Sequence, residues 1–313
     1  MLIEIFQNIM VSAVLAGGVL LFAALGETLT QRVGVMNLGI EGLIAMGAVT
    51  AAFTAFATGS PWLGFGLAAI VGLLFGSAFA LATVIIRANQ ILSGLALTFI
   101  GLGLASTLGN SIAGRPVTAE MAPVKIPLLG DIPIIGPAFF DQTVPGYMAY
   151  FLLPTIIHFV LFRSRHGLNL RSVGEAPGAA DAAGIPVARM RFLYVCVGAA
   201  LTTIAGAYLV LIFIPAWSDG LTAGRGWIAF ALVIFARHRP FRVALGALLF
   251  GALTALGFAA QALNWPISPT FLSSLPYAFT VLVLILPAFK HGQSAESSTP
   301  ASLGKPFFRE DRS

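Results

Sequence analysis

Residues 26–47 read GETLTQRVGVMNLGIEGLIAMG, between two long apolar runs. The stretch places Glu27, Arg32, Asn37 and Glu41 inside a chain that is otherwise compatible with hydrocarbon. An ionisable side chain at the centre of a membrane helix costs about 2.5–3.5 kcal/mol on insertion scales, so it faces a bundle interior or an aqueous path. Gly34, Asn37, Gly39 and Gly42 weaken the helix in the same place and predict a break, where freed carbonyls and amides lie beside the Asn37 amide and the Glu41 carboxylate. Two readings stay open for Asn37 and Glu41: contact with a passing solute, or bracing of the broken backbone. Glu27 lies nearer the inner edge, where pairing with Arg32 is expected to hold the helix junction.

Composition places the whole chain in the membrane. Of 313 residues, 58% are hydrophobic and 9% charged, with a mean hydropathy of +0.93; soluble domains carry about 25% charged residues. A single cysteine, Cys196, rules out an internal disulfide framework and reads as a small buried hydrophobe. The net charge of +5 sits at span ends and in the tail, which suits membrane topology rather than a nucleic-acid-binding face. The first apolar stretch, 9–25, follows Glu4 with no early Lys or Arg, and is expected to remain as a helix rather than be cleaved.

About 20 apolar residues cross the hydrocarbon core. The candidates are 5–25, 33–58, 62–86, 91–110, 146–162, 192–214, 227–236 with its upstream approach, 243–263 and 271–289. The expected fold is an all-α polytopic bundle of about nine spans (8–10) with a broken second helix. The polar, Gly-rich 215–226 segment makes the seventh span either short or re-entrant. Segment 163–191 is arginine-rich and segment 111–145 is not, so the positive-inside rule makes the first cytoplasmic and the second external. The N-terminus is then outside and the C-terminus inside. Three of the 17 Lys and Arg, at Arg115, Lys125 and Arg225, fall outside. Residues 1–290 are expected to form the transmembrane domain. The external loop 111–145 is punctuated by prolines, and residues 291–313, polar and Ser/Pro-rich, form an expected disordered tail.

Within 163–191, Pro177 is placed to start a short helix through the alanines of 179–183, and Gly184 with Pro186 to stop it. Such an element is either a docking helix or an ordinary surface loop. Asn89 and Gln90 open the fourth span, as helix caps or as solute contacts. Trp217, Asp219, Arg225 and Trp227 form a set near the external face, suited to interfacial anchoring or to stacking on a nucleobase. His158, alone in an apolar span, reads as a satisfied bundle residue. The Gly72–Gly76 pair has the spacing that lets membrane helices pack closely.

Four blocks carry a resemblance: GETLTQRVGVMNLGIEGLIAMGA, ANQILSGLALTFIGLGLAS, VGEAPGAADAAGIPVARMRFLYVCVGAALTTIAGAYL and AGRGWIAFALVIFARHRPFRVALGALLFG. In this order, over about residues 20–260, the chain resembles permease subunits of ATP-binding-cassette (ABC) importers. Within the branched-chain amino acid, ribose and nucleoside class, it is most similar to nucleoside-type permeases that work with lipoprotein receptors. The resemblance implies half of a membrane pore in the bacterial inner membrane. The implied partners are a homologous second permease, a cytoplasmic ABC ATPase and an external substrate-binding lipoprotein, all in a lipid bilayer and without nucleic acid. It implies that Gly174, Glu175, Ala179, Ala180, Gly184 and Ile185 match the coupling helix that fits the ATPase. The family commonly has an arginine or other polar residue where this chain has Gly178 and Asp181. No G-x-x-x-x-G-K-[ST] loop occurs, so ATP and Mg belong to the partner, and no cofactor or metal site is expected in this chain.

A competing class is an ion-coupled secondary transporter of small solutes working through Glu27 or Glu41. An intramembrane enzyme is disfavoured, since no paired aspartates, H-E-x-x-H helix or Ser/His pair occurs at sensible depth.

Overall fold

The structure is a computed structural model that describes residues 2–119, 121–289 and 299–309. Thirteen helices follow one another among the described residues. They are α1 (Leu2–Arg32), α2 (Ile40–Thr58), α3 (Pro61–Ala80), α4 (Gln90–Gly109), α5 (Ile135–Phe139), α6 (Val144–Tyr147), α7 (Leu153–Arg163), α8 (Arg165–Glu175), α9 (Pro177–Ala182), α10 (Val187–Tyr208), α11 (Arg225–Phe235), α12 (Pro240–Ala262) and α13 (Pro269–Phe289). The two-residue strands β1 (Val124–Lys125) and β2 (Asp141–Gln142) pair antiparallel in the loop between α4 and α6.

Local chemistry sets the boundaries. Gly34, at φ 85°, ends α1: its amide bonds the Gln31 carbonyl and the Val35 amide bonds the Thr30 carbonyl, a Schellman closure that glycine accepts without strain. Ser60 caps α3 through the Leu63 amide, with Pro61 in the first turn, and Asn89 caps α4.

Three helices form the interior. The apolar windows of α1, α2 and the α10 run are 72%, 78% and 72% buried, against 22% to 44% for the other spans, so the latter form the outer layer. Glycine permits the closest contacts. A Cβ on Gly76 would lie 2.7 Å from that of Ala199, and one on Gly72 would meet Ala200 Cα at 2.6 Å, so the pair seats α3 on α10.

The expected count of nine spans is not confirmed. Seven helical runs among the described residues are long and apolar enough to cross, and α13 adds 21 residues. The 227–236 candidate is α11, whose 11 residues cover about 16 Å, half of a ~30 Å core. The expected break inside the second helix lies instead between α1 and α2, at residues 33–39.

Arg32, Arg163, Arg165, Arg171, Arg237 and Arg239 gather at one end of the bundle, here the basic end. The far end carries the β1–β2 loop. Of the expected tail, residues 291–298 and 310–313 lie outside the described residues. Residues 299–309 rest on the basic end, with the Ser302 amide bonded to the Gly174 carbonyl at 3.0 Å.

Candidate functional site

The stretch 33–39 is a non-helical peptide, with turns at both ends, held by side chains from three helices. Glu27 Oε1 on α1 accepts from the Asn37 amide at 3.2 Å, and Gln90 Oε1 on α4 accepts from the Met36 amide at 2.8 Å. Thr98 Oγ1 donates to the Leu38 carbonyl at 2.8 Å, and Arg191 Nε on α10 donates to the Val33 carbonyl at 3.1 Å. The Asn37 side chain accepts from the Gly39 amide at 2.8 Å, a local turn that launches α2. Backbone freed from helical bonding inside a bundle needs such partners, because lipid offers none.

Glu41, 5% exposed in the first turn of α2, reaches across to α11. Its Oε1 accepts from the Gly224 amide at 2.7 Å and its Oε2 from the Gly226 amide at 2.6 Å. A carboxylate placed on the free amides of a helix N-terminus is favoured both by hydrogen bonding and by the helix dipole. Glu41 therefore caps the half-length helix. Each of its oxygens accepts one backbone amide, a contact of the bracing kind.

Glu27 does not pair with Arg32. Five residues along a helix point about 140° apart, whereas four lie on one face. Gln31 fills that place: its Nε2 donates to Glu27 Oε1 at 2.9 Å and its Oε1 lies 2.7 Å from His238 Nε2. The amide is thereby fixed with its oxygen toward His238, so His238 Nε2–H donates. His238, between α11 and α12, is completely buried, and that burial, with the Arg32 charge adding to it, pushes its pKa down to about 3. Arg32 turns instead to the carbonyls of Arg237 and His238, 3.4 Å from each, and lies over the Phe162 ring. A continuous chain of hydrogen bonds thus runs from the α11–α12 turn through α1 to the break. Sequence reasoning missed Gln31 and His238. The signal available was Gln31 four residues after Glu27.

The remaining expected residues separate. Asn89 caps α4 by accepting from the amides of Ile91 and Leu92, while Gln90 braces the break, its Nε2 buried without a partner. The external set is not one cluster. Trp217 is 3% exposed and packs on Gly109, where no side chain fits, and its carbonyl accepts from the Gly114 amide. Trp227 is 41% exposed and Asp219 is exposed. Arg225 is tucked under the start of α11, donating to the Leu221 carbonyl at 2.7 Å and lying over Phe213, rather than standing in an external loop. His158 sits between the rings of Phe162 and Phe241, and Cys196 is buried beside Ser77.

At the basic end, α8 and α9 form an elbow. Gly174 touches the carbonyl of Arg32, leaving no room for a side chain, and Glu175 Oε2 accepts from the Ala301 amide at 3.2 Å. On α9, Ala180 is 3% exposed, whereas Ala179, Gly178 and Gly184 are exposed, with open space around the two glycines. Gly184, at φ 82°, closes α9: its amide bonds the Asp181 carbonyl and the Ile185 amide bonds the Ala180 carbonyl.

The fold and site together are a many-helix membrane bundle with a braced break, a half-length helix capped from a neighbouring span and an exposed short helix. The chain belongs to the family described as branched-chain amino acid transport system / permease component, whose model matches residues 9–287. It is an ABC transporter permease subunit. TsgC13 of Haloferax volcanii, provisionally named a glucose ABC transporter permease protein, is 36% identical over 96% of this chain and 97% of its own length. The nucleoside ABC transporter permease protein NupC of Lactococcus lactis is 34% identical, covering 91% of this chain and 93% of that protein. The guanosine ABC transporter permease protein NupQ of Bacillus subtilis is 30% identical, covering 99% of each.

Proposed function

We propose that the chain forms half of the translocation path of an ATP-driven importer of nucleosides in the bacterial inner membrane. A homologous permease supplies the other half, an external lipoprotein delivers the solute, and a cytoplasmic ATPase using ATP and Mg docks on residues 174–185. The N-terminus is outside and the C-terminus cytoplasmic, because the basic end belongs in the cytoplasm by the positive-inside rule. The observation that carries the docking reading is the elbow itself. α9 is anchored by Ala180 and free at Gly178, Ala179 and Gly184, so it offers a partner a narrow helix already fastened to the bundle. Nucleoside as solute is supported by likeness to NupC and NupQ over almost their whole length. Asn37, Glu41, Asn89, Gln90 and Trp217 brace the path in this reading, and the exposed Asp219 and Trp227 are left to face it.

The test is uptake of a labelled nucleoside by the four-component complex in proteoliposomes. Uptake is expected to require ATP and to vanish when residues 174–185 are deleted; uptake that persists without the ATPase would sink the proposal. Likeness to TsgC13 favours a sugar as second reading. A thermal-shift comparison of the lipoprotein receptor with guanosine and with glucose separates the two.

A further inference from the structure

We propose that residues 299–309 form, together with α9, one composite docking surface for the ATPase. The proposal rests on the reading of residues 174–185 as the ATPase contact and extends it to a segment whose composition alone reads as disorder.

The segment is fastened at several places. Ser302 bonds the Gly174 carbonyl through both its amide, at 3.0 Å, and its Oγ, at 2.6 Å. The Gly304 amide bonds the Gly34 carbonyl at 3.3 Å, and Arg309 Nε pairs with Asp181 on α9 at 2.9 Å. A buried arginine adds to these fastenings. Arg191, 2% exposed at the start of α10, donates to the Val33 carbonyl, to Ser302 Oγ at 2.9 Å and to the Lys305 carbonyl at 3.1 Å. Two of its three acceptors come from the segment, and a buried guanidinium stripped of them would be an uncompensated charge. Gly34 and Gly174 show the same fit from the backbone side. A Cβ on Gly34 would strike Ser302 Oγ, and one on Gly174 would lie 3.3 Å from Pro300 Cβ.

The segment is sided. Phe307 packs inward against the buried core, whereas Phe308 is 41% exposed beneath the Arg87 guanidinium, 4.9 Å from its ring centre. Between the segment, Arg87 and the connection from α9 to α10 lies an open cavity of about 480 Å³. Arg87, Arg189 and Arg309 line it from three separate parts of the chain, with Asp181 as their acidic neighbour. The surface left for a partner is therefore basic and continuous with the free face of α9, and it fits an acidic face of the protein that receives α9.

Photo-cross-linking in the full complex tests this. A benzoylphenylalanine is placed at Phe308 in one variant and at Ala179 in another, and adducts with the ATPase are scored. Adducts from both positions are expected. An adduct from 179 without one from 308 overturns the composite surface and leaves the docking of α9 intact. Absence of both overturns the docking reading and this inference with it. Independently, a chain ending at residue 298 is expected to lose about tenfold in ATP-driven uptake, corresponding to ~1.4 kcal/mol; wild-type uptake by that chain would also refute the proposal.

Discussion

The two ends of the molecule handle their loops in opposite ways. At the far end, the side chains of the β1–β2 loop bond within their own region, while α5 packs on α1: Lys125 pairs with Asp131 at 2.5 Å, Tyr147 donates to the Val124 carbonyl, and the paired charges are 50% and 65% exposed. At the basic end, the α8–α9 elbow and residues 299–309 are bonded to the 33–39 break, and the break is bonded through Glu27, Gln31 and His238 to the turn before α12. The far-end loop meets the bundle through packing and backbone bonds, whereas the basic-end elements are tied by side chains to α1 and α10. The difference teaches that side-chain bonds between distant parts of the chain concentrate at the basic end.

Four measurements would break or sharpen this contrast. The largest effect is expected from Glu41→Ala, which leaves the Gly224 and Gly226 amides without acceptors; two orphaned donors cost about 2–6 kcal/mol together. Thermal unfolding in detergent should show the loss, with Glu41→Gln intermediate because one acceptor oxygen survives. An unchanged Tm for Glu41→Ala would remove the brace from the account. Arg191→Met follows, at about 1.5–3 kcal/mol for its charge-assisted bonds. In that variant, limited proteolysis should release residues 299–309 first; wild-type protection would show that the fastening lies elsewhere.

A pH effect comes third. The folded pKa of His238 is about 3, below the ordinary 6.5, so between these values the unfolded chain binds a proton that the folded one refuses. Its stabilising contribution is complete above pH 6.5 and is lost progressively as pH falls toward 3. From pH 6.5 to 5 the loss is roughly 1–2 kcal/mol. His238→Asn, which keeps a donor for Gln31, should flatten the Tm profile over that window; an equally steep profile would exonerate His238. Smallest of all is Lys125→Ala. Each partner there holds the other in its charged form, raising the Lys125 pKa and lowering that of Asp131. The pair is solvent-screened, and Tm and uptake should both stay at wild-type values.

The sequence made some of this legible and hid the rest for definite reasons. Hydropathy is local, so the long helices and the break around Gly34 and Asn37 could be read from neighbouring residues. Pro177 and Gly184 likewise announced α9, because a helix start and a left-handed stop are properties of a few adjacent positions. Glu41 was conspicuous as an acid in lipid, but its partners lie 183 and 185 residues away and are backbone amides, which carry no side-chain signature. The 227–236 segment was ambiguous because half a span and a short span have the same composition. Residues 299–309 were misleading for the opposite reason. Serines and prolines usually cannot bury enough surface to order a chain, yet here a buried arginine and two bare glycines had already prepared the seat.

That seat also has a place in time. Residues 299–309 follow every described helix in the sequence, so the ribosome makes them only after α13 has been synthesised. Two of the three acceptors of Arg191, and the partners of the Gly174 carbonyl and of Asp181, are therefore made after the helices they join. Assembly is thus ordered by chain position: the seat formed by Gly34, Gly174 and Arg191 is made before the segment that fills it.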